Sequence, residues 1–173
     1  MNKTFRLIIL GLLIAQSLVL YVVEGMLPVP FIAPGAKLGL ANLITVIALY
    51  ALPRAKDAAI ILLVRLILST AFGGGINAFL YSAAGATLSF GGMYLLKRTG
   101  KFTLIGVSMA GGIFHNLGQV LIACFVVENI KIMLYLPILS IAGAGTGLAL
   151  GITALYAMHH LQKLPVYKRI QQI

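Results

Sequence analysis

A guanidinium, an imidazole and several carboxamides interrupt long apolar runs in this chain, and their types suit holding a ligand better than transforming one. Arg65 lies inside AAIILLVRLILS, and His115, Asn116 and Gln119 lie inside GGIFHNLGQVLIA. Glu24 ends the first apolar run, Lys37 and Asn42 precede the second, and Asn77 follows Gly73, Gly74 and Gly75. An arginine at the centre of a membrane helix costs ~2.5 to 3.5 kcal/mol on insertion scales, so Arg65 requires a partner. Its planar fork matches a carboxylate or phosphate in two parallel hydrogen bonds, which a lysine cannot reproduce. Glu24 and Glu128 are expected near the outer surface and Asp57 at the inner one, so the sequence offers Arg65 no acid in its own layer. His115 and Gln119 are four apart and share a helix face, with Asn116 one step round. The three glycines before Asn77 would let backbone groups approach a ligand.

Each of these residues also has a structural reading. Arg65 can pair with an acid or with backbone carbonyls, His115 can bond between helices, and Asn42 and Asn77 can start helices. Convergence of several segments on one side of a membrane favours the ligand reading for the set. The expected ligand-binding residues are therefore Glu24, Lys37, Asn42, Arg65, Asn77, His115, Asn116 and Gln119.

Several chemistries are not supported. No G-x-x-x-x-G-K-[ST] loop is present, so the chain is not expected to hydrolyse nucleotides. Asp57 is the only aspartate, which leaves no aspartate-rich site for magnesium diphosphate chemistry. His115 and Cys124 alone cannot supply a metal site of ordinary ligand count. The expectation is a protein that is not an enzyme and binds no metal or cofactor of its own.

The elements that position these residues follow from composition. Apolar residues make up 61% of the 173 and charged residues only 9%, which a water-soluble globule does not reach. Charges and turn signals separate six apolar segments: Phe5 to Val23, Leu38 to Leu52, Ala55 to Phe72, Ile76 to Leu96, Leu104 to Val127 and Met133 to His159. The expected fold is all-α, a single domain over residues 1–173 forming a bundle of six transmembrane helices. Lys3 and Arg6 precede the first run as in a signal peptide, but no convincing cleavage site follows, so the run reads as a retained span. With the amino terminus inside, Lys3, Arg6, Arg54, Lys56, Lys97, Arg98, Lys101, Lys163, Lys168 and Arg169 all fall inside, leaving Lys37 and Lys131 outside. That asymmetry predicts a multi-pass cell-membrane protein with both termini cytoplasmic. The net charge of +10 then records topology and contact with the lipid bilayer, with no nucleic acid implied.

Three prolines, Pro28, Pro30 and Pro34, predict a loop from Glu24 to Gly35. Its apolar side chains suit either a lid over a cavity or a structured connector. Small residues recur at four-residue spacing: Gly143, Gly147 and Gly151; Ala78, Ser82 and Ala86; Gly106 and Ala110; Gly11 and Ala15. They predict close helix packing, with the pair on the first span free to meet a partner.

The series EGMLPVP, PGAKLGLAN, RLILS around Arg65, FLYSAAGATLS and GGIFHNLGQ resembles the Gx transporter family, also labelled heptaprenyl diphosphate synthase component I, over nearly the whole chain. That family looks related to the substrate-binding S components of energy-coupling factor (ECF) transporters. The resemblance implies a small-molecule ligand near the outer face, closed over by the loop after the first span. It implies a transmembrane coupling subunit and two ATPase subunits as partners, with ATP used by those partners. It also implies a coupling-subunit interface at Gly11 and Ala15, where glycine and alanine replace the usual alanine pair. Two alternatives stay open: a non-catalytic membrane subunit of isoprenoid or quinone metabolism, and a structural subunit of a membrane redox assembly.

Overall fold

The computed structural model describes residues 3–26, 39–72 and 75–171, and among them every regular element is helical. Helix α1 spans Lys3–Met26, α2 Asn42–Ala51, and α3 Ala55–Ser69, continued by a 3-10 turn at Thr70–Phe72. Helix α4 spans Gly75–Thr99, α5 Leu104–Val126, α6 Leu136–Lys163 after a 3-10 stretch at Ile130–Tyr135, and α7 Pro165–Ile170. Most of the expected lid (residues 27–35), together with Lys37, Gly73 and Gly74, lies outside the described residues, as does the side chain of Asn77.

The element ends have local causes. Leu52 precedes Pro53 and is extended (φ −91°, ψ 140°), which closes α2 after 10 residues. The Thr103 hydroxyl accepts from the Gly106 N–H at 3.2 Å and caps α5. Pro137 sits in the first turn of α6, where its missing N–H has no intrahelical role. Helix α1 runs through Glu24 to Met26, three residues further than a loop beginning at Glu24 would allow. The reason is that Pro28 constrains only itself and residue 27, so Glu24 can complete the helix.

Four helical stretches are long and apolar enough to cross a membrane: Lys3–Met26, Ala78–Thr99, Leu104–Val126 and Ile130–Lys163. Helix α2, with 10 residues, and α3, with 15, are shorter than the ~20 residues a full crossing needs. Helix α2 is nonetheless the centre of the packing. It contacts α1, α3, α4, α5 and α6, and it buries Ile44, Thr45, Val46, Ala48, Leu49 and Ala51. A helix that is apolar all round belongs in a core, and its shortness matches enclosure by longer neighbours.

Helix α5 lies between α4 and α6, and glycines set the separation. A Cβ at Gly112 would come within 2.0 Å of the Gly143 carbonyl oxygen, and one at Gly147 within 2.6 Å of the Ser108 carbonyl oxygen. The Gly143, Gly147 and Gly151 stripe is thus filled by α5, as small-residue packing in a membrane requires. Gly11 differs, because nothing lies within 4 Å of the position its Cβ would take.

Polar ties gather the chain ends at one end of the bundle. Arg6 at the start of α1 forms an ion pair with Asp57 at the start of α3. Lys97 near the end of α4 donates to the Leu49 carbonyl, and Gln171 donates to the Ala51 carbonyl at 2.8 Å. At the carboxy-terminal end Ile170 is buried, and the Arg169 guanidinium stands 6.0 Å from the Phe5 ring centroid.

The glycine contacts give a direct test. Gly112→Ala drives a methyl into backbone and is expected to destabilise the protein by ~1 to 3 kcal/mol, the usual cost of overpacking. Gly11→Ala is expected to stay within ~0.5 kcal/mol of the parent, as an open site should. Thermal unfolding of both variants in detergent checks the pair, and equal losses would refute the assignment of faces.

Candidate functional site

The end of the bundle away from the termini holds a buried polar cluster built by five helices. Arg65 on α3 is only 2% exposed, and its Nε atom has no hydrogen-bond partner. Its guanidinium carbon lies 6.0 Å from the centroid of the Tyr21 ring on α1, within cation–π range. Glu24, three residues beyond Tyr21, is itself buried, and its charge acts on Arg65. The expectation that no acid shares the layer of Arg65 is therefore corrected, and the structural alternative of a pair with an acid finds its candidate in Glu24. Extension of α1 through residue 24 carries the carboxylate into the bundle, where a loop position would have left it at the surface.

Glu24 also organises the entry to α2. Its carboxylate accepts from the Gly39 N–H and from the Leu40 N–H at 3.1 Å. Gly39 has φ +86°, a conformation that side chains with a Cβ rarely adopt. A Cβ there would also approach Asn42 Nδ2 at 3.1 Å and His115 Cδ2 at 3.3 Å. The glycine of KLGLAN is thus required both by the turn and by what packs upon it. Asn42 donates to the Ser89 hydroxyl of α4 at 3.4 Å, and the Ser17 hydroxyl of α1 donates to the Ala41 carbonyl at 3.3 Å.

His115 on α5 closes the cluster. Its Nε2 lies 3.1 Å from the Gln119 amide nitrogen one turn on, both side chains being buried. With Nε2 accepting from that amide, the neutral ring carries its proton on Nδ1. Nδ1 faces Gly85 of α4, where an added Cβ would come within 2.9 Å of it, and the Gly85 backbone acts on the ring there. Arg65 is close enough to His115 for their charges to interact.

Of the residues expected to bind a ligand, the structure brings together Glu24, Asn42, Arg65, His115 and Gln119. Asn116 points elsewhere: its amide donates to the Leu139 carbonyl of α6 and packs on Gly143. Lys37 and the Asn77 side chain lie outside the described residues. Tyr21, Gly39, Gly85 and Ser89 join the cluster without having been singled out. Tyr21 shares a helical face with Glu24 and was open to discovery by spacing, whereas Ser89 carries no signal of its own. Among the described residues no three His, Cys, Asp or Glu side chains come together in a group able to hold a metal.

Fold and site define a helical membrane protein with a buried cluster of an arginine, a glutamate, a histidine and carboxamides between its helices. A family model described as heptaprenyl diphosphate synthase component I matches residues 13–157, and the chain belongs to that family. Comparison with curated proteins and with solved structures gave no match.

If Glu24 and Arg65 act on one another, their substitutions should couple. Glu24→Gln and Arg65→Ala are each expected to lower the unfolding temperature. The double variant should be less destabilised than their sum by ~0.5 to 3 kcal/mol, the range for residues in one network. Strict additivity in a thermal double-mutant cycle would show that the pair is not coupled.

Proposed function

We propose that this chain is the substrate-binding membrane subunit of an ECF-type uptake transporter, capturing a small anionic or amphipathic molecule from the outer face. The observation that carries the reading is Arg65. It is a fully buried guanidinium with an unpartnered Nε, and its acid, Glu24, already accepts two backbone N–H groups. A ligand carboxylate or phosphate completes that electrostatic arrangement, and His115 and Gln119 supply neutral hydrogen-bonding edges beside it. In this reading the six helices α1 to α6 cross or enter the membrane, with α2 and α3 as the shorter members. Both termini are cytoplasmic, on the strength of the basic residues gathered at their end of the bundle.

The reading has ATP hydrolysis performed by two ATPase subunits and transmitted through a membrane coupling subunit. Support for a partner contact comes from α1, where Gly11 has open space beside it and Ala15 is exposed one turn further on. Leu7, Ile8, Leu12 and Val19 continue this exposed apolar surface, and small residues within it permit close backbone approach.

The family description favours a second reading, a non-catalytic membrane subunit of isoprenoid metabolism that presents a diphosphate-bearing lipid to a soluble enzyme. Native mass spectrometry of gently solubilised protein separates the two. A tightly held water-soluble anion supports the transporter subunit, and a copurifying polyprenyl species supports the alternative.

Two variants test the residues. Arg65→Lys is expected to lower ligand affinity at least tenfold, about 1.4 kcal/mol, through loss of the bidentate fork. Isothermal titration at matched folded fraction measures it, and unchanged affinity would leave Arg65 a structural residue only. Gly11→Leu is expected to reduce copurification of partner subunits while leaving ligand affinity within twofold of the parent. Full recovery of the complex would mean that the interface lies on another face.

A further inference from the structure

A second site lies at the opposite end of the bundle, far from Arg65. The turn between α2 and α3 and the last turns of α4 enclose a cleft of about 300 Å³, lined by Leu49, Leu52, Pro53, Ala55, Tyr94, Lys97 and Arg98. Its lining is divided chemically: five of these side chains are apolar or aromatic, and the other two are cationic. Lys97 is half-buried, donates one hydrogen bond to the Leu49 carbonyl, and stands 4.8 Å from the Tyr50 ring centroid. An ammonium has three donors, so that bond leaves two for another acceptor. Arg98 is exposed and forms no ion pair among the described residues, whose one salt bridge joins Arg6 to Asp57. Arg54, which precedes α3, provides no side-chain cap; the Asp57 N–H donates to the Arg54 carbonyl at 3.0 Å, and Ala55, the first residue of that helix, lines the same cleft.

We propose that this cleft binds the phosphate headgroup of an anionic glycerophospholipid in the leaflet contacting the basic end of the bundle. Features on two segments favour a phosphate here: the donors left on Lys97 and the Arg98 guanidinium, both on α4, and the start of α3, which has no side-chain cap. The apolar wall favours a lipid over a free ion. Pro53 and Tyr94 would cover the glycerol and first methylenes above the buried Leu49 and Leu52, and the adjoining Leu95, 64% exposed, would extend this apolar surface toward the acyl chains. No acid lines the cleft, and Asp57 in the first turn of α3 is fully buried against Arg6, so the local charge is positive. The occupant also has a mechanical consequence. Lys97 holds the Leu49 carbonyl near the end of α2, so a headgroup seated on Lys97 would connect the surrounding leaflet to the helix at the centre of the packing.

Native mass spectrometry of the full chain tests this, with titration by phosphatidylglycerol and by phosphatidylcholine of identical acyl chains. Phosphatidylglycerol is expected to be retained at least fivefold more tightly than phosphatidylcholine, the effect of about one basic residue acting on an anionic lipid. Arg98→Gln should lower that preference by roughly fivefold, while the exposed control Lys101→Gln leaves it within twofold. Circular dichroism melts establish that both variants are folded, and Arg98 is the better target because Lys97 also supports α2. Equal retention of the two lipids, or equal losses from Arg98→Gln and Lys101→Gln, overturns the proposal. So does displacement of bound phosphatidylglycerol by millimolar inorganic phosphate, which would assign the cleft to a soluble anion.

Discussion

The Glu24 carboxylate is the group on which most of the described structure converges. A carboxylate that is 3% exposed in an apolar bundle must be met by donors and by positive charge, and here it has both. Two backbone N–H groups of the Gly39 turn donate to it, and Arg65 lies within range of its field. One side chain of α1 therefore fixes where α2 begins and offsets the charge that α3 brings inside. Its acceptor role explains the left-handed Gly39, since the turn must bend its amides toward α1 before Asn42 starts the helix.

Helix α2 is secured at its other end by complementary chemistry. Its last carbonyls would be orphaned inside the bundle, and Lys97 and Gln171 donate to those of Leu49 and Ala51. A carboxylate at the entry and an ammonium at the exit also match the helix dipole. Ten residues gain little from helix propensity alone, so α2 depends on these contacts and on burial.

Most helices were legible in the sequence because apolar runs, prolines and basic clusters mark them at membrane length. Their ends agreed within a few residues for α4, α5 and α6. What escaped was set by direction. His115 and Asn116 are adjacent in sequence, yet one enters the cluster and the other bonds to α6, because a helix rotates roughly 100° per residue. A polar run was visible, but the division of its faces between two neighbouring helices was not. Glu24 was likewise legible as an unusual acid, while its burial depended on where α1 stops. Neither the φ of Gly39 nor the bond to Ser89 leaves a local mark in the sequence, since both arise only when α1, α4 and α5 meet around α2.

Helices α1 and α3 carry reciprocal charges: α1 contributes Arg6 and Glu24, and α3 contributes Asp57 and Arg65. Of the three acids in the chain, the two that are buried each lie near an arginine of the other helix. Buried pairs of this kind add little net stability relative to apolar packing, because each ion must first be desolvated. Their larger effect is on alternatives. Rotating α1 about its axis would leave four charged groups in the bundle without their partners, so the pairs select which face of α1 meets α3. The two pairs are not equivalent, however. Asp57 is fully buried and directly ion-paired with Arg6, whereas Glu24 divides its field between backbone donors and Arg65; in both pairs the arginine Nε has no hydrogen-bond partner. The first arrangement behaves as a fixed clasp at the basic end. The second joins three helices, because Glu24 also receives the amides at the entry to α2, so the same constraint that orients α1 against α3 sets where α2 begins.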